Sequence, residues 1–203
     1  MKNLGKIIIF SVILAILSLV FLLFRPQILT FDESLFHVIN GISNPILDAI
    51  LIPATYFGSI ILWALLIIIL WLKKDKKLSM HLLYALIINS LFSLFLKEIF
   101  TRSRPVENFI RENFLVEEDT GYSFPSGHAI NAFSGATILS SYYKGKLKFL
   151  FYALAVLTGI SRVYIGVHFP LDVLFGSLIG IIIGNIVLNL PIHKIQEDIE
   201  KIA

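Results

Sequence analysis

The chain contains no cysteine and little charge. Of its 203 residues, 15% are Asp, Glu, Lys or Arg, whereas 57% are hydrophobic. The absence of cysteine excludes disulfide bonds and thiolate metal sites. A charged fraction this low excludes an ordinary soluble domain and favours a membrane protein. The net charge of +3 is modest and gives no indication of a nucleic-acid partner.

Six apolar stretches are long enough to be considered as membrane-spanning helices. They are Leu4–Phe24, Tyr56–Leu72, Ser79–Phe100, Ser126–Tyr143, Phe149–Ile165 and Leu171–Leu190. We therefore predict an all-α fold, a polytopic membrane bundle of six transmembrane helices that forms one domain over residues 1–203. The first stretch lacks a small-residue cleavage site, so we interpret it as an uncleaved span. The fourth stretch is the most polar, which predicts that it is buried among the others.

The distribution of lysine predicts how the bundle is oriented, because positive charge accumulates on the cytoplasmic side. With the N-terminus inside, the inner side receives Lys2, Lys6, Lys73, Lys74, Lys76, Lys77, Lys144, Lys146, Lys148, Lys194 and Lys201. The outer side receives Arg25, Lys97, Arg102, Arg104, Arg111 and Arg162. We therefore expect a cell-membrane protein whose two termini are both cytoplasmic.

Two outer connections are too polar to span. In Thr30–Pro53, apolar residues recur near helical spacing, which predicts short helices lying in the membrane interface. The alternative is a lid over the bundle with no part in substrate entry. Val106–Phe124 is the second connection, and its acidic residues Glu117–Asp119 fit either a solvated tip or a device that repels highly charged headgroups.

The last stretch carries Gly176, Gly180 and Gly184 at intervals of four residues. Small residues at this spacing allow two helices to approach closely. We expect packing within the bundle in preference to a dimer interface.

Lys97 and Arg104 lie seven residues apart near the outer end of the third stretch. This separation is two helical turns, so both side chains face one direction if the helix continues that far. Pro105 then ends or bends the helix. Snorkelling to the interface is the ordinary explanation for a lysine such as Lys97, but its alignment with Arg104 favours a phosphate-binding role.

The fourth stretch opens on Pro125, Ser126, Gly127 and His128. Proline and serine are helix-start residues, and a helix start offers backbone N–H groups and a positive dipole end to a phosphate. Gly127 has no Cβ, so an anion can approach the backbone closely. His128 lies in the first turn of this helix, beside the predicted anion site.

Arg162 ends the fifth stretch, and His168 and Asp172 flank the start of the sixth. Pro170 is a good first helical residue, which leaves His168 just before the helix and Asp172 in its first turn. An aspartate that accepts one ring N–H fixes the tautomer, so the other nitrogen can attack a substrate. The alternative is that Asp172 merely caps the helix. All three fragments lie at outer ends of predicted spans, which predicts one site at the extracytoplasmic face.

These fragments resemble the type 2 phosphatidic acid phosphatase superfamily of membrane lipid phosphatases. The family signature is matched without a substitution in Lys97–Pro105, Pro125–His128 and Ser161–Asp172. The resemblance implies that His168 is the nucleophile, that Asp172 orients it and that His128 protonates the leaving group. It also implies that the phosphoryl oxygens are held by Lys97, Arg104, Ser126, Gly127 and Arg162. No metal and no cofactor are expected.

The size and short outer loops are similar to those of the compact bacterial phosphatidylglycerophosphatase B type. This resemblance favours phosphatidylglycerol phosphate as the substrate. Undecaprenyl diphosphate, phosphatidic acid and diacylglycerol diphosphate remain alternatives. A lipid or ion transporter is the alternative of another class, but its path would need ionisable groups near the membrane midplane as well. The expected partners are the lipid phosphate substrate and membrane lipids, with no obligate protein partner.

Overall fold

The computed structural model describes residues 3–42, 44–105 and 121–192, and this part of the chain is helical and contains no strand. The helices are α1 (Leu4–Leu23), α2 (Arg25–Asn40), α3 (Pro45–Ala54), a 3₁₀ turn (Thr55–Gly58), α4 (Ile60–Leu72), α5 (Lys76–Phe100), α6 (Gly127–Tyr142), α7 (Leu147–Tyr164) and α8 (Pro170–Val187). The acidic residues Glu117–Asp119 lie outside the described residues, as does nearly all of the connection that carries them. The all-α prediction is confirmed for the described part.

Among the described residues, four helices are long and apolar enough to cross a membrane, namely α1, α5, α7 and α8. A fifth span is obtained if α2, α3 and the 3₁₀ turn count as one bent unit. Helices α4 and α6 coincide with two of the predicted spans but have only 13 and 16 residues. At 1.5 Å per residue, a 13-residue helix is about 20 Å long, shorter than a hydrocarbon core of about 30 Å. The prediction of six spans therefore stays a prediction.

The second predicted span starts in the wrong place. Helix α4 begins at Ile60, and its N-cap Ser59 accepts a hydrogen bond from the backbone N–H of Leu62 at 3.1 Å. The preceding residues, expected to begin this span at Tyr56, form the 3₁₀ turn instead. A serine N-cap directly after Gly58 is a helix-start signal, and it overrides the apolar continuity of the stretch.

Helix α6 lies at the centre of the bundle. Ten of its 16 residues are buried, including the polar residues Asn131, Ser134 and Thr137. Asn131 accepts a hydrogen bond from the amide of Asn89 on α5 at 3.1 Å and donates one to the carbonyl of Gly58 at 3.2 Å. The expectation that the most polar stretch is buried among the others is confirmed.

The glycine series of α8 packs against α6. A Cβ at Gly176 would lie 2.8 Å from the backbone oxygen of Ser126, and one at Gly184 would lie 2.9 Å from that of Ser134. At Gly180 a Cβ would collide with the backbone oxygen of Ile130. The expected role in packing within the bundle is confirmed, and this close approach positions the start of α6 beside the start of α8.

The lysine-rich turns lie at the end of the bundle opposite the predicted site. His81, near the start of α5, and Tyr142, at the end of α6, approach to 2.9 Å between ring nitrogen and hydroxyl. The turns that precede α5 and follow α6 therefore share one end. The end of α5 and the start of α6 lie at the other, with the three motif fragments.

Candidate active site

Helix α5 ends earlier than the spacing of Lys97 and Arg104 predicts. Its last residue is Phe100, and Thr101 caps it in the left-handed conformation with φ of 44°. Arg104 therefore lies in the following loop, so the prediction that it shares a helix face with Lys97 is wrong. The loop is held instead by tertiary hydrogen bonds, because the N–H of Ser123 donates to the carbonyl of Arg102 at 2.8 Å.

The start of α6 has the form that its sequence predicts. Ser126 is the N-cap, with an extended backbone, and its hydroxyl accepts a hydrogen bond from the N–H of Ala129 at 3.4 Å. Its own N–H donates to the carbonyl of Asp172 at 3.0 Å, which fixes α6 against α8. A Cβ at Gly127 would lie 3.3 Å from the hydroxyl of Ser93 on α5. The helix start is thus held between α5 and α8, with its first-turn N–H groups and positive dipole end at the site.

His128 lies in the first turn of α6 and is half-buried. The 3₁₀ turn packs directly against it, since a Cβ at Gly58 would lie 2.5 Å from the carbonyl oxygen of His128 and 2.8 Å from its Cβ. Gly58 is therefore a residue that the sequence analysis missed. Because Gly58 has no side chain, the 3₁₀ turn can pack directly against the backbone of His128.

His168 and Asp172 meet as predicted. Pro170 opens α8, and the Nδ1 atom of His168 lies 3.4 Å from the Oδ2 atom of Asp172. The same oxygen accepts a hydrogen bond from the N–H of Phe169 at 2.9 Å. Asp172 therefore both caps the helix and contacts the imidazole, so the two interpretations of the pair are compatible. Both side chains are buried.

Arg104 lies on the other side of the His168 ring. Its Nη1 atom is 3.4 Å from Nε2 of His168, and it donates to the carbonyl of Val167 at 2.9 Å. Its Nε donates to the carbonyl of Gly121 at 2.8 Å. The guanidinium is only 1% exposed. One imidazole nitrogen thus faces a carboxylate and the other faces a fixed cation.

Arg162 supports the same site from α7. Its carbonyl accepts hydrogen bonds from the backbone N–H groups of Val167 and His168, each at 3.2 Å. Its Nη1 donates to the hydroxyl of Thr55 at 3.0 Å, which connects α7 to the 3₁₀ turn. Lys97 is half-buried in the last turn of α5. The structure thus brings Arg104, Arg162, His168, Asp172 and the start of α6 to one end of the bundle, and Lys97 lies on the helix that ends there.

Two charged residues that sequence reasoning missed complete the surroundings of Asp172. Arg102 donates to the Oδ1 atom of Asp172 at 2.8 Å and to the Oδ2 atom of Asp32 at 2.6 Å. Asp32 is on α2 and only 1% exposed. An aspartate so deeply buried requires compensation by a charge, which Arg102 supplies.

The arrangement suits transfer of a phosphoryl group. Buried guanidinium groups and a helix start can stabilise the negative charge that spreads over the phosphoryl oxygens, and an oriented imidazole can act as nucleophile. Within the parts of the chain that the structure describes, no three His, Asp or Glu side chains are placed to hold a metal ion. Together the fold and the site define the class: a membrane-embedded helical protein with a buried cationic site suited to phosphate groups.

The chain is similar to known membrane phosphatases in sequence and in fold. A family model described as the PAP2 superfamily matches residues 78–195. An undecaprenyl-diphosphatase of Sulfolobus acidocaldarius is 32% identical over 84% of this chain and 85% of its own length. A lipid A 4'-phosphatase of Porphyromonas gingivalis is 33% identical over 82% of this chain and 75% of its own length. The crystal structure of a PAP2 type phosphatidylglycerolphosphate phosphatase from Bacillus subtilis has a TM-score of 0.75 at 27% identity, covering 90% of this chain and 94% of that one.

The chain belongs to the PAP2 superfamily. It is a multi-pass membrane protein and a lipid phosphatase, a phosphoric monoester hydrolase. The family resemblance inferred from the three sequence fragments is confirmed. The names of the relatives describe different lipid phosphates and do not single out one substrate.

Proposed function

We propose that this protein removes the terminal phosphate of a lipid at the outer membrane face, through a phosphohistidine formed on His168. The observation that carries the proposal is the placement of the His168 ring between two fixed charges. Its Nδ1 atom faces Asp172 at 3.4 Å and its Nε2 atom faces Arg104 at 3.4 Å. A phosphoryl oxygen bound by Arg104 would bring the phosphorus within reach of Nε2.

The first step is attack by the lone pair of Nε2 on phosphorus. The bond between phosphorus and the lipid oxygen breaks, and His128 donates a proton to that oxygen. Asp172 stabilises the positive charge that develops on the imidazole of His168. In the second step, water attacks phosphorus and gives its proton to His128, and the P–N bond breaks to release phosphate. Lys97, Arg104, Ser126, Gly127 and Arg162 hold the phosphoryl oxygens throughout.

We propose that the chain forms one domain with six spans and that both termini face the cytoplasm. The concentration of lysine in the turns around residues 73–77 and 144–148 supports this orientation, because both turns lie at the end away from the site. We also propose that α2 and α3 lie at the interface over the site. Support comes from the amide of Asn40, which donates to the carbonyl of Tyr164 at 2.8 Å, and from the hydroxyl of Tyr164, which donates to Asp48 at 2.6 Å.

We favour phosphatidylglycerol phosphate as the substrate, converted to phosphatidylglycerol and phosphate. The similarity to the Bacillus subtilis phosphatidylglycerolphosphate phosphatase over 90% of the chain supports this choice. Undecaprenyl diphosphate is the second candidate, because the Sulfolobus acidocaldarius relative that carries this activity in its name is 32% identical over 84% of the chain. Both lipids present a terminal phosphate on an amphiphile at the membrane surface.

The experiment compares phosphate release from four lipids in matched detergent micelles: phosphatidylglycerol phosphate, undecaprenyl diphosphate, phosphatidic acid and diacylglycerol diphosphate. We expect kcat/KM to be highest for phosphatidylglycerol phosphate. A higher kcat/KM for undecaprenyl diphosphate would replace the first candidate by the second. The matched control is His168→Ala, which should fold and release no phosphate. If the folded wild-type protein releases phosphate from none of the four lipids, the proposed function is wrong.

A further inference from the structure

Arg102 joins two buried carboxylates at the site end of the bundle. Its Nη1 atom lies 2.8 Å from Oδ1 of Asp172, and its Nη2 atom lies 2.6 Å from Oδ2 of Asp32. The guanidinium carbon lies 4.0 Å from the centre of the Phe169 ring, in a cation–π arrangement. Two charged hydrogen bonds and a ring contact leave the planar guanidinium little rotational freedom.

Asp32 anchors this arrangement from α2. Its side chain is 1% exposed, and its Oδ1 atom accepts a hydrogen bond from the N–H of Leu171 at 2.8 Å. Leu171 is the second residue of α8, directly before Asp172. Asp32 is therefore connected to the first turn of α8 in two ways. It accepts the backbone N–H of Leu171 directly, and it is joined to Asp172 through Arg102.

The two oxygens of Asp172 have separate partners. Oδ2 faces Nδ1 of His168 and accepts from the N–H of Phe169, whereas Oδ1 accepts from Arg102. A carboxylate held at both oxygens cannot rotate about its terminal bond. Arg102 therefore contributes to the angle at which Oδ2 faces the imidazole, together with the N–H of Phe169 and the side chain of Ser123, which also hydrogen-bond to this carboxylate.

We propose that Arg102 is a positioning residue for the phosphatase reaction, which holds Asp172 in the orientation that directs His168 at the substrate, and that Asp32 is its anchor. This inference rests on the proposed function of His168 and Asp172. A direct role of Arg102 in binding the substrate phosphate is the competing possibility. The geometry disfavours it, because both terminal nitrogens of Arg102 bind carboxylates and its contact is on the Oδ1 side of Asp172, whereas His168 is on the Oδ2 side.

The test is a double-mutant cycle of Arg102→Gln and Asp172→Asn, measured by single-turnover phosphate release at high enzyme concentration. Removing a hydrogen-bond partner that orients a metal ligand typically lowers activity about 10- to 100-fold, and by analogy we expect Arg102→Gln to lower kcat by this factor with KM changed less than about threefold. In the Asp172→Asn background, Arg102→Gln should change the rate by less than about threefold, because Arg102 acts through the Asp172 carboxylate.

Two further variants grade the effect. Asp32→Asn keeps an oxygen for the N–H of Leu171 but loses the charge opposite Arg102, so we expect a smaller loss of kcat than in Arg102→Gln. Arg102→Lys keeps the positive charge but cannot bind both carboxylates in the planar geometry, so it should recover only part of the activity. This lysine variant replaces Arg102→Gln in the cycle if the glutamine variant does not accumulate as folded protein.

The matched control is Arg25→Gln, which changes an exposed arginine at the start of α2 and should leave kcat unchanged.

Three results would overturn the inference: additive losses in the cycle, an increase in KM with unchanged kcat, or wild-type kcat in folded Arg102→Gln. These results are distinguishable from failure of the proposed function. If the wild-type protein releases phosphate and Asp172→Asn is impaired, an additive cycle rejects only the role of Arg102. If Asp172→Asn has wild-type activity, the proposed role of the carboxylate itself is wrong.

Discussion

Substitution of Gly176 by alanine should impair the reaction by displacing the start of α6. The new Cβ would lie 2.8 Å from the backbone oxygen of Ser126 and 3.2 Å from the Cβ of Ala129. Ordinary van der Waals contact begins at 3.4 Å, so the two backbones must separate by about 0.6 Å, the difference between 3.4 and 2.8 Å. Ser126 is the N-cap of α6 and a proposed phosphate ligand, so this displacement reaches the site directly.

The expected magnitude has two parts. Overpacking of a close helix contact typically lowers the free energy of unfolding by about 1–3 kcal/mol. A misplacement of catalytic groups by about 1 Å can lower the rate about 100-fold, so for about 0.6 Å we expect kcat of Gly176→Ala to fall about tenfold or more. In an uncrowded helix, replacing glycine by alanine raises the free energy of unfolding by up to about 1 kcal/mol. A lower stability of Gly176→Ala would therefore come from the clash with Ser126.

Gly184→Ala is the matched control, because its Cβ would meet the backbone oxygen of Ser134 at 2.9 Å, two helical turns further from the site along α8. We expect a similar loss of stability with kcat close to wild type. Gly5→Ala is a second control that introduces no clash, since nothing lies within 4 Å of its Cβ. The assay is thermal unfolding in detergent together with steady-state phosphate release. Equal loss of kcat in Gly176→Ala and Gly184→Ala, or wild-type stability in both, would refute the reasoning.

Two further predictions concern groups whose contribution should be largest in the transition state. Arg104→Gln should lower kcat about 10²- to 10³-fold, as expected when one donor to a developing negative charge is removed; phosphate release at the wild-type rate would remove Arg104 from the phosphoryl site. His128→Gln should slow the first step, loss of the leaving group, strongly on a lipid phosphate, whose alkoxide needs a proton, and much less on a nitrophenyl phosphate, whose leaving group needs none. The rate of this first step is compared in a single turnover, because His128 also serves as the base in the second step. Equal loss on both substrates would show that His128 is not the general acid.

The local geometry of the site could be predicted from sequence because it depends on neighbouring residues. Ser126 caps α6, and Pro170 starts α8 two residues before Asp172, so the contact between His168 and Asp172 lies within five residues of chain. Helix-start rules are sufficient over such short separations. The burial of α6 followed equally from its composition, since exposed serine and asparagine side chains are unfavourable in lipid.

The contacts that hold the site together could not be predicted in this way. Thr101 caps the end of α5 with a positive φ, a conformation that is uncommon for a β-branched residue. Sequence rules therefore place the end of this helix at Pro105, four residues too late. The hydrogen bond from Ser123 to Arg102 overrides these rules. Arg102 is 70 residues from both Asp32 and Asp172, and no local rule joins them. No local signal marked Asp32 as buried, because it precedes Glu33 and Ser34 in a connection that is too polar to span.

The most direct test of the central claim is to identify the residue that carries the phosphoryl group during turnover. Wild-type protein would be mixed with lipid carrying a labelled terminal phosphate, quenched in base within one turnover and digested for peptide mass analysis. We predict an acid-labile, base-stable label on His168 that is absent from folded His168→Ala protein. A label on another residue, or phosphate release by His168→Ala at the wild-type rate, would contradict the assignment of His168 as the nucleophile.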